Sequence, residues 1–259
     1  MSKLSYKIAN LQGIGKRERQ EDSFVIVNGI DEQKIDEQGL FFAVCDGMGG
    51  MADGALAGST AVASFKNSFL SLDHSGNIPS QLKESVFKAS SEVETLIGGD
   101  GGSTVVAGII FNDSLYYVSV GDSFLMLYRD GSLYRLNLEQ NLCHQHYMEE
   151  IQNGNVDPSD YQERDEAAAI TGFIGMHGLN EVDLTLRPIP LRENDIILAC
   201  SDGICGVLIE SDVRSVLSLP TEHDICKQLE QKLVDYGIPN QDNYTAVIVK
   251  CDHKEDRIK

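Results

Sequence analysis

Apolar and polar residues follow two different patterns along the chain. Short apolar runs between turn residues predict strands, and longer stretches with apolar residues three and four apart predict helices. The first strands are expected at 24–27 and at 40–45, which reads LFFAVC. Residues 53–70 and 80–97 both carry the helical spacing. This order predicts a pair of antiparallel helices that covers a sheet.

A series of four short strands comes next, and turn sequences separate them. The strands are expected at 104–111, 115–120, 124–128 and 133–136, and the turns at 112–114, 121–123 and 129–131. Spacers this short join antiparallel neighbours, because a parallel crossover needs a dozen or more residues. The series therefore predicts an antiparallel meander.

The second half of the chain opens with a polar stretch, 137–169, which predicts an irregular, mobile flap. Further strands are expected at 182–186, 196–200 and 244–250, and further helices at 211–217 and 222–236. Strands with helix pairs on both sides predict an α+β fold, a four-layer α–β–β–α sandwich of two mostly antiparallel sheets. Since no repeat or linker divides the sequence, residues 1–259 are expected to form a single domain.

The composition narrows the class of function. Asp and Glu number 40 against 21 Lys and Arg, a formal net charge of −19. Such a chain is not expected to bind nucleic acid, which requires clustered cations, and no apolar stretch approaches the roughly 20 residues of a membrane span. The six dispersed cysteines include no CxxC pair and indicate free thiols in a cytoplasmic protein. Much of the acidic excess is expected on a solvated surface.

Some carboxylates, however, are expected at the ends of buried strands, where they face a cleft. Hard divalent cations prefer oxygen ligands, and a glycine after an aspartate lets the backbone carbonyl approach an ion. Carboxylates brought together repel unless a cation or proton compensates, so these positions predict a metal centre. They are Asp46-Gly47, Asp202-Gly203, Asp242-Asn243 and the pair Glu21-Asp22.

Two other metal sites are less consistent with the sequence. The segment 46–54 does not match an EF-hand calcium loop, since it lacks the alternating acidic ligands and the closing glutamate. Cys143, His144 and His146 have spacing that would suit zinc but no fourth ligand nearby. Arg17, just before the acidic pair, could hold a phosphate through paired hydrogen bonds, or it could simply lie in an exposed basic turn.

Taken together, these positions resemble the metal-dependent Ser/Thr protein phosphatases of type 2C, in their bacterial single-domain form. The matching pieces extend over nearly the whole chain, in the family's order. They are Arg17-x-x-x-Glu21-Asp22, Asp46-Gly-Met-Gly-Gly, Gly102-Ser-Thr104, Gly121-Asp-Ser123, Ser201-Asp-Gly203 and Asp242-Asn243. The family's α–β–β–α sandwich agrees with the fold predicted above.

The resemblance implies a role for each of the strand-end carboxylates. Asp46 would bridge two Mg²⁺ or Mn²⁺ ions, and the Gly47 carbonyl would bind one of them. Asp202 and Asp242 would complete the first site, so these three aspartates would be the catalytic residues. A water bridging the ions would attack phosphorus, with no side-chain nucleophile.

The remaining matches imply supporting roles. Glu21 or Asp22 would serve the second ion, directly or through water, and Arg17 would hold the substrate phosphate. Asp122 would join Asp202 around a weak third ion, unless it only caps its own turn through a side-chain hydrogen bond.

The implied activity is removal of phosphate from serine and threonine of proteins, including targets of a Ser/Thr kinase, in cytoplasmic signalling. Two positions depart from the family pattern. Met48 stands where some relatives have a histidine that could act as a general acid, and Phe124 stands where the family often has arginine. Two other functions remain open: a catalytically silent adaptor that binds phosphoproteins, and a phosphatase of small phosphorylated metabolites.

Overall fold

The computed structural model describes residues 3–49, 53–98, 101–154 and 169–254. Two large sheets dominate it, and every pair of neighbouring strands in them is antiparallel. The first sheet has the order β1 (Leu4–Gly13), β13 (Tyr244–His253), β12 (Ile196–Cys200), β8 (Phe124–Arg129) and β9 (Ser132–Arg135). The second has the order β10 (Asp183–Leu184), β7 (Ser114–Val120), β6 (Val105–Phe111), β3 (Leu40–Cys45) and β2 (Ser23–Val27).

Two small pieces complete the strands. β11 (Ile189–Pro190) also pairs with β7, and β4 (Gly47–Gly49) pairs with β5 (Gly101–Ser103) in a separate ribbon. The helices of the described ranges are α1 (Glu32–Gln38), α2 (Gly54–Leu70), α3 (Ile78–Ile97), α4 (Leu142–Gln152), α5 (Asp202–Cys205), α6 (Glu210–Leu217) and α7 (Glu222–Tyr236).

Local sequence sets where the long helices begin. Asp53, Asn77 and Thr221 lie just before α2, α3 and α7, and each side chain accepts a hydrogen bond from an N–H of the first turn. Such caps satisfy amides that have no partner within the helix. The hydrophobic face of α2 then carries Phe65 and Phe69 against the second sheet.

Three hydrophobic layers hold the sandwich together, and β3 shows how alternation builds them. Leu40, Phe42 and Val44 point into the layer between the two sheets. Phe41 and its alternate neighbours Ala43 and Cys45 point to the layer under α2 and α3. A third layer lies between the first sheet and helices α6 and α7. The predicted α–β–β–α sandwich is therefore confirmed.

Two elements near the N-terminus differ from the sequence prediction. β1 was not predicted, because Lys7 and Asn10 interrupt its apolar residues, yet it pairs along its full length with β13. The short helix α1 also lacks a clear apolar face, since only Ile35 is buried. Long-range pairing, rather than a local pattern, defines β1.

The predicted irregular flap requires a correction. Residues 142–152 form helix α4, which Asn141 caps by accepting from His144 N–H at 2.9 Å. The apolar pattern of the sequence did not reveal this helix, because none of the helix residues is buried. The prediction that 137–169 is mobile includes residues 155–168, and these lie outside the described residues. Across the ranges that are described, no helix is both long and apolar enough to span a membrane.

Candidate metal centre

Nearly all the predicted site residues meet in one cleft at the edge of the sandwich. The cleft has a volume of about 230 Å³. Seven predicted residues line it: Arg17, Glu21, Asp46, Gly47, Asp122, Asp202 and Asp242. Asp22 is the exception, since it is buried behind the cleft. Four further residues line the cleft, none of which was predicted to bind metal or phosphate through its side chain: Met48, Thr104, Ile170 and Asn243.

Asp46 directly follows β3. Hydrogen bonds with Ser103, the last residue of β5, and with Thr104 fix the backbone of Asp46. Its N–H donates to Thr104 Oγ1 at 3.1 Å, and its carbonyl accepts from Thr104 N–H at 2.8 Å and Ser103 Oγ at 3.0 Å. Thr104 Oγ1 also lies 2.7 Å from Ser123 Oγ in the turn that carries Asp122. The Gly-Ser-Thr and Gly-Asp-Ser motifs therefore position two carboxylates relative to each other.

The glycines that follow Asp46 and Asp202 are required by close packing. A Cβ at Gly47 would lie 2.0 Å from the carbonyl oxygen of Gly54, at the start of α2. A Cβ at Gly203 would lie 1.9 Å from the Asn243 carbonyl oxygen. Side chains at either place would push apart the segments that carry the carboxylates.

Asn243 holds the loop that precedes β2. Its side-chain oxygen accepts from Glu21 N–H at 2.8 Å, and its amide nitrogen donates to the carbonyls of Ile14 at 2.9 Å and Arg19 at 3.0 Å. Buried amides with such complete pairing act as rigid clamps. Asn243 thus fixes the loop that presents Arg17 and Glu21. The sequence signal for it was its place in the Asp-Asn pair.

Four carboxyl groups in or behind the cleft resist ionisation when no cation is present: Asp22, Asp46, Asp122 and Asp202. Burial raises the pKa of Asp22 to about 6, and burial followed by the charge of Asp202 raises the pKa of Asp122 to about 7. Burial, with the charges of Asp22 and Asp202, raises the pKa of Asp46 well above its ordinary value. Burial also raises the pKa of Asp202, which a hydrogen bond with Asp46 partly offsets.

In and behind the cleft, two buried carboxylate oxygens have no hydrogen-bond partner: Asp22 Oδ1 and Asp202 Oδ1. The other oxygen of Asp22 accepts from Ser201 Oγ at 2.8 Å. Unpaired buried oxygens are costly, and a hard cation would satisfy them. The donor set, carboxylates and the Gly47 carbonyl, therefore fits Mg²⁺ or Mn²⁺.

The side chains of these carboxylates are not yet arranged as a complete metal-coordination shell. Within the residues that the structure describes, no group of three His, Cys, Asp or Glu side chains forms a ready-made ion cage. The contacts explain this, because Asp46 pairs with Asp202 and Asp242 accepts from Arg17. Small side-chain rotations, and waters of the kind Mg²⁺ retains, would be needed to complete a coordination shell. Cys143, His144 and His146 likewise form no such group.

The departure at Phe124 has a structural counterpart. Arg135, on the neighbouring strand β9, places its guanidinium carbon 4.0 Å from the centre of the Phe124 ring. It also donates to the carbonyl of Asp122 at 3.4 Å and to Glu139 at 2.7 Å. An arginine from across the hairpin therefore contacts the Asp122 turn, which the sequence pattern alone did not reveal.

A larger groove of about 680 Å³ lies beside α4. Two of its carboxylates already have partners: Asp183 accepts from Leu138 N–H at 2.7 Å, and Glu139 pairs with Arg135. The smaller cleft is therefore the better candidate for a metal centre.

Comparison with known proteins agrees with this geometry. Residues 8–152 match the family model described as Protein phosphatase 2C. The chain is 26% identical over 245 residues to the serine/threonine phosphatase stp of Listeria monocytogenes, with 91% of this chain and 92% of that protein covered.

Solved structures share the fold. The Mycobacterium tuberculosis serine/threonine phosphatase PstP/Ppp superposes with a TM-score of 0.75 at 22% identity, covering 96% of this chain and 99% of that one. The catalytic domain of PstP in complex with two manganese ions gives a TM-score of 0.75 at 21% identity, with the same coverage.

Proposed function

Since this chain belongs to the protein phosphatase 2C family, whose model matches more than half of its residues, we propose that it is a Mg²⁺- or Mn²⁺-dependent phosphatase of phosphoserine and phosphothreonine in proteins. The active site is the cleft at Asp46. The observation that carries the proposal is the convergence there of four buried or half-buried aspartates with a single arginine side chain, Arg17. The phosphatase names of the relatives support the same substrate class.

The ions are held by the side chains of Asp46, Asp202 and Asp242 and by the Gly47 carbonyl. Glu21, which lines the cleft, and Asp22, which lies behind it, serve the second ion directly or through water. Asp122 contributes to a weak third ion with Asp202. The unpaired oxygens and raised pKa values of Asp22 and Asp202 support the roles of these two residues.

The chemistry that the bound ions supply is positive charge for the phosphate oxygens and acidification of the attacking water. Arg17, whose side chain is exposed at the cleft mouth, binds the phosphate of the substrate. Met48 lines the cleft where some relatives have a histidine, and its thioether has no proton to donate. The leaving serine or threonine oxygen therefore takes its proton from water.

The proposal extends to the organisation of the protein. One domain carries the activity, because β1 and β13 pair and the layer between the sheets draws on residues from Leu4 to Cys251. Substrates include targets of a Ser/Thr kinase, with no nucleic acid or membrane as partner. A cytoplasmic location suits its free cysteines.

A comparison of three substrate classes tests the proposal. Chelator-stripped protein should hydrolyse phosphoserine and phosphothreonine peptides only after Mn²⁺ or Mg²⁺ is added, and should hydrolyse an aryl phosphate more slowly. A higher kcat/KM on small phosphorylated metabolites would instead indicate a metabolite phosphatase. Metal and phosphopeptide binding without turnover would indicate a silent adaptor, and either result would overturn the proposal.

A further inference from the structure

Two cysteine sulfurs lie in contact beside the proposed metal centre. Cys200 is the last residue of β12 and Cys205 is the last residue of α5, and their Sγ atoms are 3.1 Å apart. Both are free thiols. Cys200 is fully buried, whereas Cys205 is only half-buried. An S–S bond measures about 2.05 Å, so the sulfurs need to approach by only about 1 Å.

The four residues between these cysteines include parts of the site. Asp202 is among them, and so is Ser201, whose hydroxyl donates to Asp22 Oδ2 at 2.8 Å and accepts from Thr245 N–H at 3.0 Å. The carbonyl of Gly203 accepts from Gln241 Nε2 at 2.9 Å. A covalent link across this segment would therefore act directly on the position of Asp202.

We propose that Cys200 and Cys205 form a modification site, a dithiol that a hydroperoxide converts to a reversible disulfide which lowers the affinity of the metal centre. The contact between the two sulfurs and the enclosed Asp202 carry this inference. Its second part, the effect on metal affinity, depends on the proposed function, whereas disulfide formation does not. Disulfides in cytoplasmic proteins are usually transient and redox-sensing, which agrees with a regulatory site.

The reaction balances with one peroxide. The sulfur of Cys205, the more exposed of the two, attacks one peroxide oxygen. The O–O bond breaks, the leaving oxygen takes up the thiol proton as water, and Cys205 becomes a sulfenic acid. The sulfur of Cys200 then attacks the sulfenic sulfur and releases a second water. Two thiols lose two electrons in total, and one hydrogen peroxide is reduced to two waters.

The link is expected to weaken metal binding because it shifts the segment that holds Asp202. Disturbance of groups that orient a metal ligand typically costs about 10–100-fold in affinity. We therefore expect the oxidised protein to bind Mn²⁺ at least about 10-fold more weakly than the reduced protein, an effect that dithiothreitol reverses.

Peptide mapping tests the disulfide directly. Trypsin should release the peptide 193–214, which contains these two cysteines and no other, and no internal Lys or Arg. After treatment of the folded protein with hydrogen peroxide, we expect this peptide to lose the mass of two hydrogen atoms and to regain it with dithiothreitol. An unchanged peptide, or one that carries only added oxygen on Cys205, would overturn the inference.

Two variants and a binding measurement complete the test. Cys205→Ser should lose both the mass change and the peroxide effect on Mn²⁺ titration by calorimetry. Cys226→Ser is the matched control, because Cys226 is also half-buried and packs in the same hydrophobic layer. This variant should keep both the mass change and the peroxide effect. Disulfide formation with unchanged Mn²⁺ affinity would overturn the regulatory role. If the reduced protein bound no Mn²⁺ and had no phosphatase activity, the proposed function would fail while the mapping result still stood.

Discussion

The guanidinium of Arg17 donates to Asp242 Oδ2 at 2.5 Å, so the residue proposed to bind phosphate is paired with a residue proposed to bind metal. Both side chains are partly exposed, at 57% and 39%, and water weakens an ion pair of this kind. A cation at Asp242 would therefore displace Arg17 at little cost. Metal binding would free the guanidinium for the substrate.

Arg17→Ala should raise KM for a phosphopeptide about 10-fold or more, because a hydrogen bond to a charged group is worth about 1.5–3 kcal/mol. The kcat should fall less, since phosphate is held in the ground state as well as in the transition state. The affinity for Mn²⁺ should not decrease, because a competitor for Asp242 has been removed. Arg19→Ala is a matched control, as Arg19 contributes only its backbone carbonyl to Asn243. An unchanged KM in steady-state assays would reject the role of Arg17.

Asp46→Asn and Asp202→Asn should each abolish turnover while the fold is retained. Each change keeps the volume of the side chain and removes a charge that the ions require, so the loss should exceed the about 10–100-fold typical of changes beside a ligand. Glu92→Gln, an exposed position on α3, should have no effect. Circular dichroism establishes folding, and near-normal kcat in Asp46→Asn would show that the bridging role is wrong.

Asp122→Ala should leave tight Mn²⁺ binding at the two-ion core intact but reduce turnover, most visibly on phosphoproteins that engage 137–169. The reason is that Asp122 lines the cleft beside Asp202. Burial, and secondly the charge of Asp202, raises the pKa of Asp122. Calorimetric metal titration beside kinetics on an aryl phosphate and a phosphopeptide measures both effects. Lower folding stability with unchanged stoichiometry and unchanged activity would favour a turn-capping role instead.

The metal-free protein should lose stability as pH rises from about 4 to about 8, since an unfolded aspartate ionises near pH 3.9. In the folded state, Asp22 and Asp122 keep their protons until about pH 6 and about pH 7. The folded state therefore binds more protons in this window, and stability falls with rising pH.

Chemical denaturation in the presence of a chelator measures this effect. Asp122→Asn should be more stable than wild type at pH 8 by on the order of 4 kcal/mol, and the two proteins should converge near pH 4. Added Mn²⁺ should remove most of the wild-type pH dependence. Equal pH profiles for the two metal-free proteins would show that ionisation of Asp122 does not destabilise the folded state.

The sequence predicted the layers and the placement of the cleft aspartates at strand ends because both depend on local patterns. The LFFAVC run of β3 alternates between two hydrophobic layers, and aspartates next to such runs inevitably lie at a sheet edge. The roles assigned to these aspartates remain predictions. The pattern could not show that Asn243 clamps the loop before β2, since the two segments are separated by more than two hundred residues.

Other features were hidden because no single segment carries them. Arg135 contacts the Asp122 turn only because β8 and β9 pair in a particular register. β1 forms a strand because it pairs with β13. Helix α4 has no buried residue, so its sequence lacks a helical spacing of apolar residues. The contact between Cys200 and Cys205 likewise depends on the short helix α5, which lies where the sequence predicted no helix or strand.

Carboxylate-held ions in the Asp46 cleft are proposed to carry out phosphoprotein hydrolysis. Chelator-stripped wild-type protein and Asp46→Asn should be titrated with Mn²⁺ while phosphopeptide hydrolysis and bound metal are measured in the same samples. We expect wild-type activity to be absent without metal, to rise with bound Mn²⁺ and to disappear with excess EDTA, and we expect Asp46→Asn to stay inactive throughout. Full wild-type activity in excess chelator, after metal removal is verified, would contradict this proposal.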